Sequence, residues 1–269
     1  SVIETHNYLN YAIMILLAVN LYSENTDALD KIVPYAAVSV ITMSLIGLYQ
    51  KIFLHTQSVN STMINANIFA GYLILSVPLF FKNIRNPLFA AAAILGLLSL
   101  ILTRSVAAIG GLACAFFIVR LGLVRGGILS LLCGTILILT GFNITALNDR
   151  FLLWKSALTL IYQHPFTGTG PGTFELVYPS VKAAGQSSLY AHSYFLQLCS
   201  DLGIAAFLFA AVFIARRVFL NAPSGLKIAL IAVLIQNVFD FNLLILSNGI
   251  LFWLLLGILC STQVESIRV

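Results

Sequence analysis

The chain has 269 residues, of which 60% are hydrophobic and only 9% are charged, and its mean hydropathy is +1.00. A soluble domain carries about 25% charged residues, so this composition excludes an ordinary soluble globular protein. The net charge of +5 does not indicate nucleic-acid binding, because positive charge in a membrane protein mainly reports its orientation.

Apolar runs recur along the whole chain, and most approach the length of about 17–25 residues that crosses a bilayer as a helix. Hydropathy predicts about nine spans. They cover residues 7–21, 34–54, 67–81, 88–102, 106–120, 127–141, 190–215, 227–245 and 248–263. A transmembrane barrel would instead show short alternating segments. The sequence therefore predicts an all-α, polytopic transmembrane helical bundle.

We expect residues 1–269 to form a single integral membrane domain. The chain starts with Ser1 rather than Met and enters its first apolar segment almost at once, so we also expect it to be the trailing part of a longer protein.

One connection, residues 142–189, is much longer than the others, and long loops are often functional. If this loop is external, nine of the fourteen basic residues are cytoplasmic, as the positive-inside rule requires. The cytoplasmic set is Lys31, Lys82, Arg85, Arg120, Arg125, Arg216, Arg217, Lys227 and Arg268, and the external set is Lys51, Arg104, Arg150, Lys155 and Lys182.

Within the long loop, Trp154, Ala157, Leu158 and Ile161 form a helical apolar stripe. Asn148 or Asp149 can cap the start of this helix, and Pro165 limits its end. We expect a short amphipathic helix on the outer membrane surface or packed on the bundle, with Arg150 in its first turn.

The sequence "GTGPG" (168–172) follows that helix. No strand precedes it and no Lys-Ser/Thr follows it, so the nucleotide-binding motifs do not fit and a tight turn is the better interpretation. Asp201 lies nine residues beyond His192, about half a helical turn out of phase, and is expected to face another surface.

Four residues carry the candidate chemistry: Arg104, Arg150, His192 and Asp240. Arg104 lies in the short turn "LTRSVA" on the external side, where the positive-inside rule does not call for an arginine. We therefore favour a functional role over an arginine that only snorkels to lipid headgroups. Asp240 is expected inside the eighth span, where an ionisable residue suggests function by default. Each residue also has a structural alternative. Arg150 would be a surface charge, His192 an interfacial histidine bonded to a carbonyl, and Asp240 a partner for an arginine.

Arginine binds phosphate oxygens bidentately and stays charged, whereas histidine can accept a proton near neutral pH. Together these residues suit an acceptor hydroxyl that attacks a sugar whose leaving group is a lipid diphosphate. No paired acidic metal site is evident in the sequence, so we expect no metal and no cofactor, with the arginines neutralising the leaving group.

The chain resembles the O-antigen ligase and O-antigen polymerase superfamily of bacterial envelope enzymes. The resemblance lies in five stretches in the family's order. They are "NANIFAGYLILSVPL" (65–79), "LTRSVAAIGGL" (102–112), "DRFLLWKSALTLIYQHPFTGTGPGTF" (149–174), "YAHSYFLQLCSDLGI" (190–204) and "LIQNVFDFNLL…LFWLLLGIL" (234–259).

This resemblance implies a metal-independent, inverting glycosyltransferase of the C type in the bacterial inner membrane, with its active site facing the periplasm. The donor would be a glycan on undecaprenyl diphosphate, and the acceptor a lipid A-core sugar for a ligase or another lipid-linked glycan for a polymerase. It also implies that Arg104 and Arg150 bind the diphosphate and that His192 serves the acceptor. Asp240 and Tyr190 would have supporting roles.

Two alternatives of other classes stay open. A transporter of a lipid-linked or anionic substrate would often show internal repeats and broken helices at the middle of the membrane. A structural membrane subunit would leave Arg104 without an explanation. Apart from the donor and acceptor, the expected partners are membrane lipids and not nucleic acid.

Overall fold

The computed structural model describes residues 2–24, 28–141, 144–182, 188–219 and 224–268. These residues form eleven α-helices, two short 3-10 helices and no strand. The α-helices are α1 Val2–Glu24, α2 Ala28–Ile52, α3 Ala66–Ser76, α4 Pro87–Thr103, α5 Val106–Leu121, α6 Leu123–Gly141, α7 Ile144–Gln163, α8 Phe174–Val181, α9 Tyr194–Phe219, α10 Ser224–Gln236 and α11 Leu246–Arg268. The 3-10 helices are Val77–Asn83, which continues α3, and Asn242–Leu244, between α10 and α11. The all-α prediction is confirmed.

Among the described residues, three helical segments are long and apolar enough to cross a membrane: Leu29–Ile52, Ala66–Asn83 and Tyr194–Val218. These segments indicate a membrane protein. The prediction of nine spans is wrong by this criterion. Helices α4 and α5, over the predicted spans 88–102 and 106–120, have only 17 and 16 residues. The predicted span 227–245 ends early as a helix, because α10 stops at Gln236 although the apolar run continues. A helix rises 1.5 Å per residue, so the 13 residues of α10 cover only about 20 Å.

The bundle packs α1 along α11, α5 against α10 and α6, and α2 against α4. Its core is built from aliphatic and aromatic side chains, and α3 lies at the centre with Phe69, Leu73 and Ile74 fully buried. This central position matters for the candidate site, because the first turn of α3 reaches one end of the bundle.

The two ends of the bundle differ in their basic residues. At one end, Lys82 Nζ lies 3.0 Å from Asp30 Oδ1, which joins the start of α2 to the end of the first 3-10 helix. Helix α5 starts beside Arg104 and α9 starts beside the α10–α11 connection, so their last turns lie at the opposite end from Arg104. Those last turns carry Arg120, and Arg216 with Arg217.

This distribution agrees with the sequence-based division of the basic residues. The side chain of Arg268, which the sequence analysis assigned to the cytoplasmic set, lies outside the described residues, as do residues 142–143 and 183–187 of the long loop. Which end faces which compartment stays a prediction.

The amphipathic helix predicted in the long loop is confirmed as α7, which ends at Gln163 just before Pro165 but begins at Ile144, before the predicted caps. Its buried face packs on α9 and α8 through Leu153, Ala157 and Leu160. Leu158, which the sequence places on the apolar stripe, is 56% exposed and does not belong to this buried face.

Candidate active site

Arg104 lies in a left-handed turn between α4 and α5, with φ 57° and ψ 21°. Its backbone N–H donates to the carbonyl of Ile101 at 3.1 Å, which closes the last turn of α4, and α5 begins two residues later. A left-handed conformation is uncommon for a residue with a side chain, and such outliers cluster at functional sites. The turn leaves the Arg104 side chain exposed.

A cavity of about 420 Å³ opens beside Arg104. Polar residues dominate its lining, which consists of Gln57, Ser58, Asn65, Ala66, Asn67, Thr103 and Arg104. The cavity includes the first turn of α3, where Asn65 Oδ1 accepts a hydrogen bond from the N–H of Ile68 at 3.0 Å. The first N–H groups of a helix have no partner within it and favour anions. An arginine beside such a turn suits a phosphate group.

The segment that forms one wall of this cavity is held by Gln50 at the end of α2. Gln50 Oε1 accepts from the backbone N–H groups of Asn60 and Ser61, at 3.2 and 2.9 Å, and Gln50 Nε2 donates to the Ser61 carbonyl at 2.7 Å. This amide therefore orders the segment that carries Gln57 and Ser58.

His192 lies in the connection that enters α9, and its backbone is also left-handed, with φ 49°. The indole N–H of Trp154 donates to the His192 carbonyl at 3.2 Å. The imidazole meets the Phe241 ring edge-on at 4.9 Å, and its Nδ1 is buried with no partner among the described residues. Burial, and secondly the positive charge of Arg150, lower the pKa of His192 from its ordinary value of 6.5 to about 4.

Asp240 lies in the connection between α10 and α11, because α10 ends at Gln236. The prediction that it lies inside a span is therefore wrong. Its carbonyl accepts the backbone N–H of Tyr194 at 2.8 Å, and its Oδ1 accepts the N–H of Phe241 at 2.9 Å. Only 2% of Asp240 is exposed, and Oδ2 has no partner among the described residues. Burial raises the pKa of this carboxyl, while the Phe241 N–H and Arg150 oppose the rise.

Arg150 is half-buried on α7 and lowers the pKa values of both His192 and Asp240. Tyr190 stacks on Phe241 with ring centroids 4.4 Å apart. The structure thus brings together four of the five residues singled out from the sequence. Arg104 is the fifth, and the cavity that it lines contains none of the other four.

The two groups are connected through α10 and α3. Gln236 Nε2 donates to the carbonyl of Asn67 at 3.1 Å, and Asn67 lines the Arg104 cavity. Asp240 follows Gln236 by four residues. Both groups therefore belong to the same end of the bundle.

The "GTGPG" segment is a tight turn, as predicted, and its three glycines have positive φ angles. It packs on the first turns of α9, where Gly172 N–H donates to Asp201 Oδ2 at 3.1 Å. Gln197 extends this network, since its Nε2 donates to Asp201 Oδ1 at 3.1 Å and its Oε1 accepts the N–H of Ala191 at 2.8 Å.

Asp201 thus braces the turn and does not join the candidate site, in agreement with the sequence interpretation. Sequence analysis missed Gln197 and the bond from Trp154 to His192. The one sequence feature that points to this bond is Trp154 on the apolar stripe of α7.

Among the residues that the structure describes, no group of three His, Cys, Asp or Glu side chains is arranged to hold a metal ion.

No protein-family model matches the chain, and no curated protein is significantly similar to it in sequence.

Proposed function

We propose that this chain is a membrane glycosyltransferase that moves a glycan from undecaprenyl diphosphate to an acceptor hydroxyl at the periplasmic membrane face. If the chain is an O-antigen ligase, the acceptor is a lipid A-core sugar. If it is a polymerase of the same superfamily, the acceptor is a second lipid-linked glycan. The observation that carries the proposal is the grouping of Arg150 with a neutral His192 at the same end of the bundle as the polar Arg104 cavity.

In the proposed reaction, the acceptor oxygen forms a bond to the anomeric carbon of the donor sugar as the bond from that carbon to the diphosphate breaks. The electron pair of the broken bond stays on the diphosphate, whose negative charge increases. Guanidinium groups that are already held in place stabilise this developing charge without having to reorganise. Electrostatic catalysis contributes most when charge develops beside such fixed groups. Arg150 has this role in the proposal, and Arg104 holds a phosphate group against the first turn of α3.

The pKa of about 4 bears on what His192 can do. A ring with this pKa is neutral at pH 7 and can accept a hydrogen bond from a hydroxyl group. It is a weak base, because a general base acts best with a pKa near the working pH. We therefore assign His192 to orienting the acceptor hydroxyl, and the proton of that hydroxyl passes to water or to the departing diphosphate.

The test is a transfer assay with purified protein, a lipid-diphosphate-linked glycan and an acceptor, beside an assay of donor binding. Wild-type protein should release free undecaprenyl diphosphate and glycosylated acceptor in equal amounts. His192→Ala should lower turnover by about 2–10-fold, the value of one hydrogen bond between neutral groups, and leave donor binding unchanged.

A transporter would instead move the donor across a vesicle membrane without consuming it. Donor translocation with no glycosylated product would replace the enzyme proposal with transport. In a deletion strain, loss of all long glycan on lipid A-core with accumulation of lipid-linked polymer indicates a ligase, whereas a single repeat on the core indicates a polymerase.

A further inference from the structure

Helix α7 carries large apolar side chains on two opposite faces. One face packs on α8 and α9. The other face carries Phe151, Leu158 and Tyr162, whose spacing of seven and four residues places them on one side of a helix. All three side chains are exposed, and Tyr162 is 87% exposed. The described part of the chain therefore leaves this second face uncovered.

An uncovered apolar face on a helix outside the spanning segments needs an explanation. A surface helix usually presents polar residues on the side that it turns away from the core, and a helix that is apolar all round is buried. Among the described residues, α7 is not one of the three segments that are long and apolar enough to cross a membrane. A contiguous exposed apolar surface marks contact with a partner or with a membrane.

The chain contacts at the end of α7 show that this face continues to a membrane segment. Phe166, just after α7, is 82% exposed. The carbonyl of its neighbour Pro165 accepts the backbone N–H of Ile204 at 2.8 Å. Ile204 belongs to the candidate span Tyr194–Val218, which exposes further apolar side chains such as that of Phe209. Phe166 thus lies where the uncovered face meets a segment that is itself expected in lipid.

The residue types of this surface suit the boundary between lipid headgroups and acyl chains. Phe151, Leu158 and Phe166 are wholly apolar. Tyr162 combines an apolar ring with a polar hydroxyl group, and tyrosine is enriched at membrane–water interfaces. Lys155 lies on the same side of α7 and is exposed, and a lysine in this place buries its methylene chain and extends its ammonium group to water.

We propose that α7 is an interfacial helix, which packs on the bundle with one face and docks on the lipid surface of the membrane with the other. The side chains of this second face, here called the lipid face, are those of Phe151, Leu158, Tyr162 and Phe166. Helices of this kind lie in the plane of the interface with the apolar side inserted by about 5–10 Å. Docking holds Arg150, on the same helix, near the depth of the lipid headgroups. The proposal does not depend on the transfer reaction.

The first test locates a tryptophan on the lipid face of the full chain in lipid nanodiscs. The two natural tryptophans are removed by Trp154→Phe and Trp253→Phe, and Tyr162→Trp supplies the probe. Phospholipids brominated near the glycerol should quench the fluorescence of this probe more strongly than phospholipids brominated near the chain ends. Acrylamide, a quencher dissolved in water, should have less effect than either, because the ring lies in lipid.

The matched control is Gln163→Trp in the same background. Gln163 is also exposed, but it lies about 100° further around the helix than Tyr162. The control probe should emit at longer wavelength and should be quenched mainly by acrylamide. If acrylamide quenches both probes equally and brominated lipid quenches neither, the lipid face is open to water and the proposal is wrong. If the Tyr162→Trp probe is shielded from both quenchers, a second copy of the chain covers this face, which also overturns the proposal.

A second measurement uses the wild-type protein and is independent of the folding of any variant. Nanodiscs are prepared with a phospholipid that carries a photoreactive diazirine in its acyl chain, and the adducts are mapped by mass spectrometry after illumination. We expect adducts on residues 158–166, beside adducts on the exposed Leu208 and Phe209 of α9, which are the positive control. Adducts on α9 without any on residues 151–166 would refute the docking of α7 on lipid.

Discussion

The indole N–H of Trp154 donates a hydrogen bond to the backbone carbonyl of His192 at 3.2 Å, and it joins α7 to the connection that precedes α9. The bond fixes a histidine whose backbone is left-handed, a conformation that needs support from its surroundings. Because Arg150 lies one turn earlier on α7, the same helix positions the guanidinium and the imidazole relative to each other.

Replacement of Trp154 by Phe keeps the aromatic packing on Phe239 and removes this hydrogen bond. We expect turnover in the transfer assay to fall by about 2–10-fold, because a net hydrogen bond contributes about 0.5–1.5 kcal/mol. KM for the donor should not change, since the indole has no role in holding the diphosphate. An unchanged turnover would show that the bond does not orient His192.

The lowered pKa of His192 predicts a pH dependence of stability. As the pH falls below 6.5, the unfolded chain takes up a proton at this residue while the folded protein does not until about pH 4. Stability should therefore be lost between these two values and be insensitive to His192 above pH 7. Thermal unfolding of wild-type protein and His192→Gln should show a Tm difference that changes only within this window. A constant difference from pH 7 to pH 4.5 would contradict the shift.

Arg104 and Arg150 should not tolerate lysine if both bind phosphate oxygens, because lysine cannot form the bidentate pair. Arg104→Lys and Arg150→Lys should each lose most of the transfer activity, by about 10-fold or more, with normal amounts of protein in the membrane. Lys155→Ala is the matched control, because Lys155 is exposed on α7 and should retain full activity. A fully active lysine variant would remove that arginine from the site.

Gly203 breaks α9 with φ 84° and ψ 166°, a conformation open essentially to glycine alone. A Cβ at this position would also overlap the carbonyl oxygen of Phe166. Gly203→Ala should lower Tm by about 2–12 °C, from a strain of about 1–3 kcal/mol. The control is Gly127→Ala, since a Cβ on Gly127 meets nothing within 4 Å. Equal Tm values for the two variants would show that the break is dispensable.

The distribution of basic residues predicts the orientation of the chain. A reporter that works only in the periplasm should be active when it is fused within the long loop, residues 142–189. A reporter that works only in the cytoplasm should be active when it is fused between Arg217 and Lys227. A cytoplasmic reporter that works in the long loop would reverse the orientation and move Arg104, Arg150 and His192 to the cytoplasmic face.

Much of the candidate site could be anticipated from residue chemistry. Arg104 stands out because an arginine in a short turn between apolar helices opposes the positive-inside bias, and the left-handed conformation of this residue fits that expectation. His192 and Arg150 stand out by residue type and place in the chain. Hydropathy could not show that Asp240 lies outside the helix, because the apolar run continues through residues 237–245 after α10 has ended.

Composition and local pattern by themselves determined the helical class, the likeness to a membrane protein, the amphipathic helix of the long loop and the turn at "GTGPG". These features depend on apolar content, a period of 3.6 residues and glycine, all of which are local properties. Only the tertiary structure decided where helices end, that Arg150 acts on both His192 and Asp240, and that the side chains of Asn242 and Asn248 meet at Gly71. Such contacts join residues far apart in the chain, and their burial and pKa values exist only once the helices have packed.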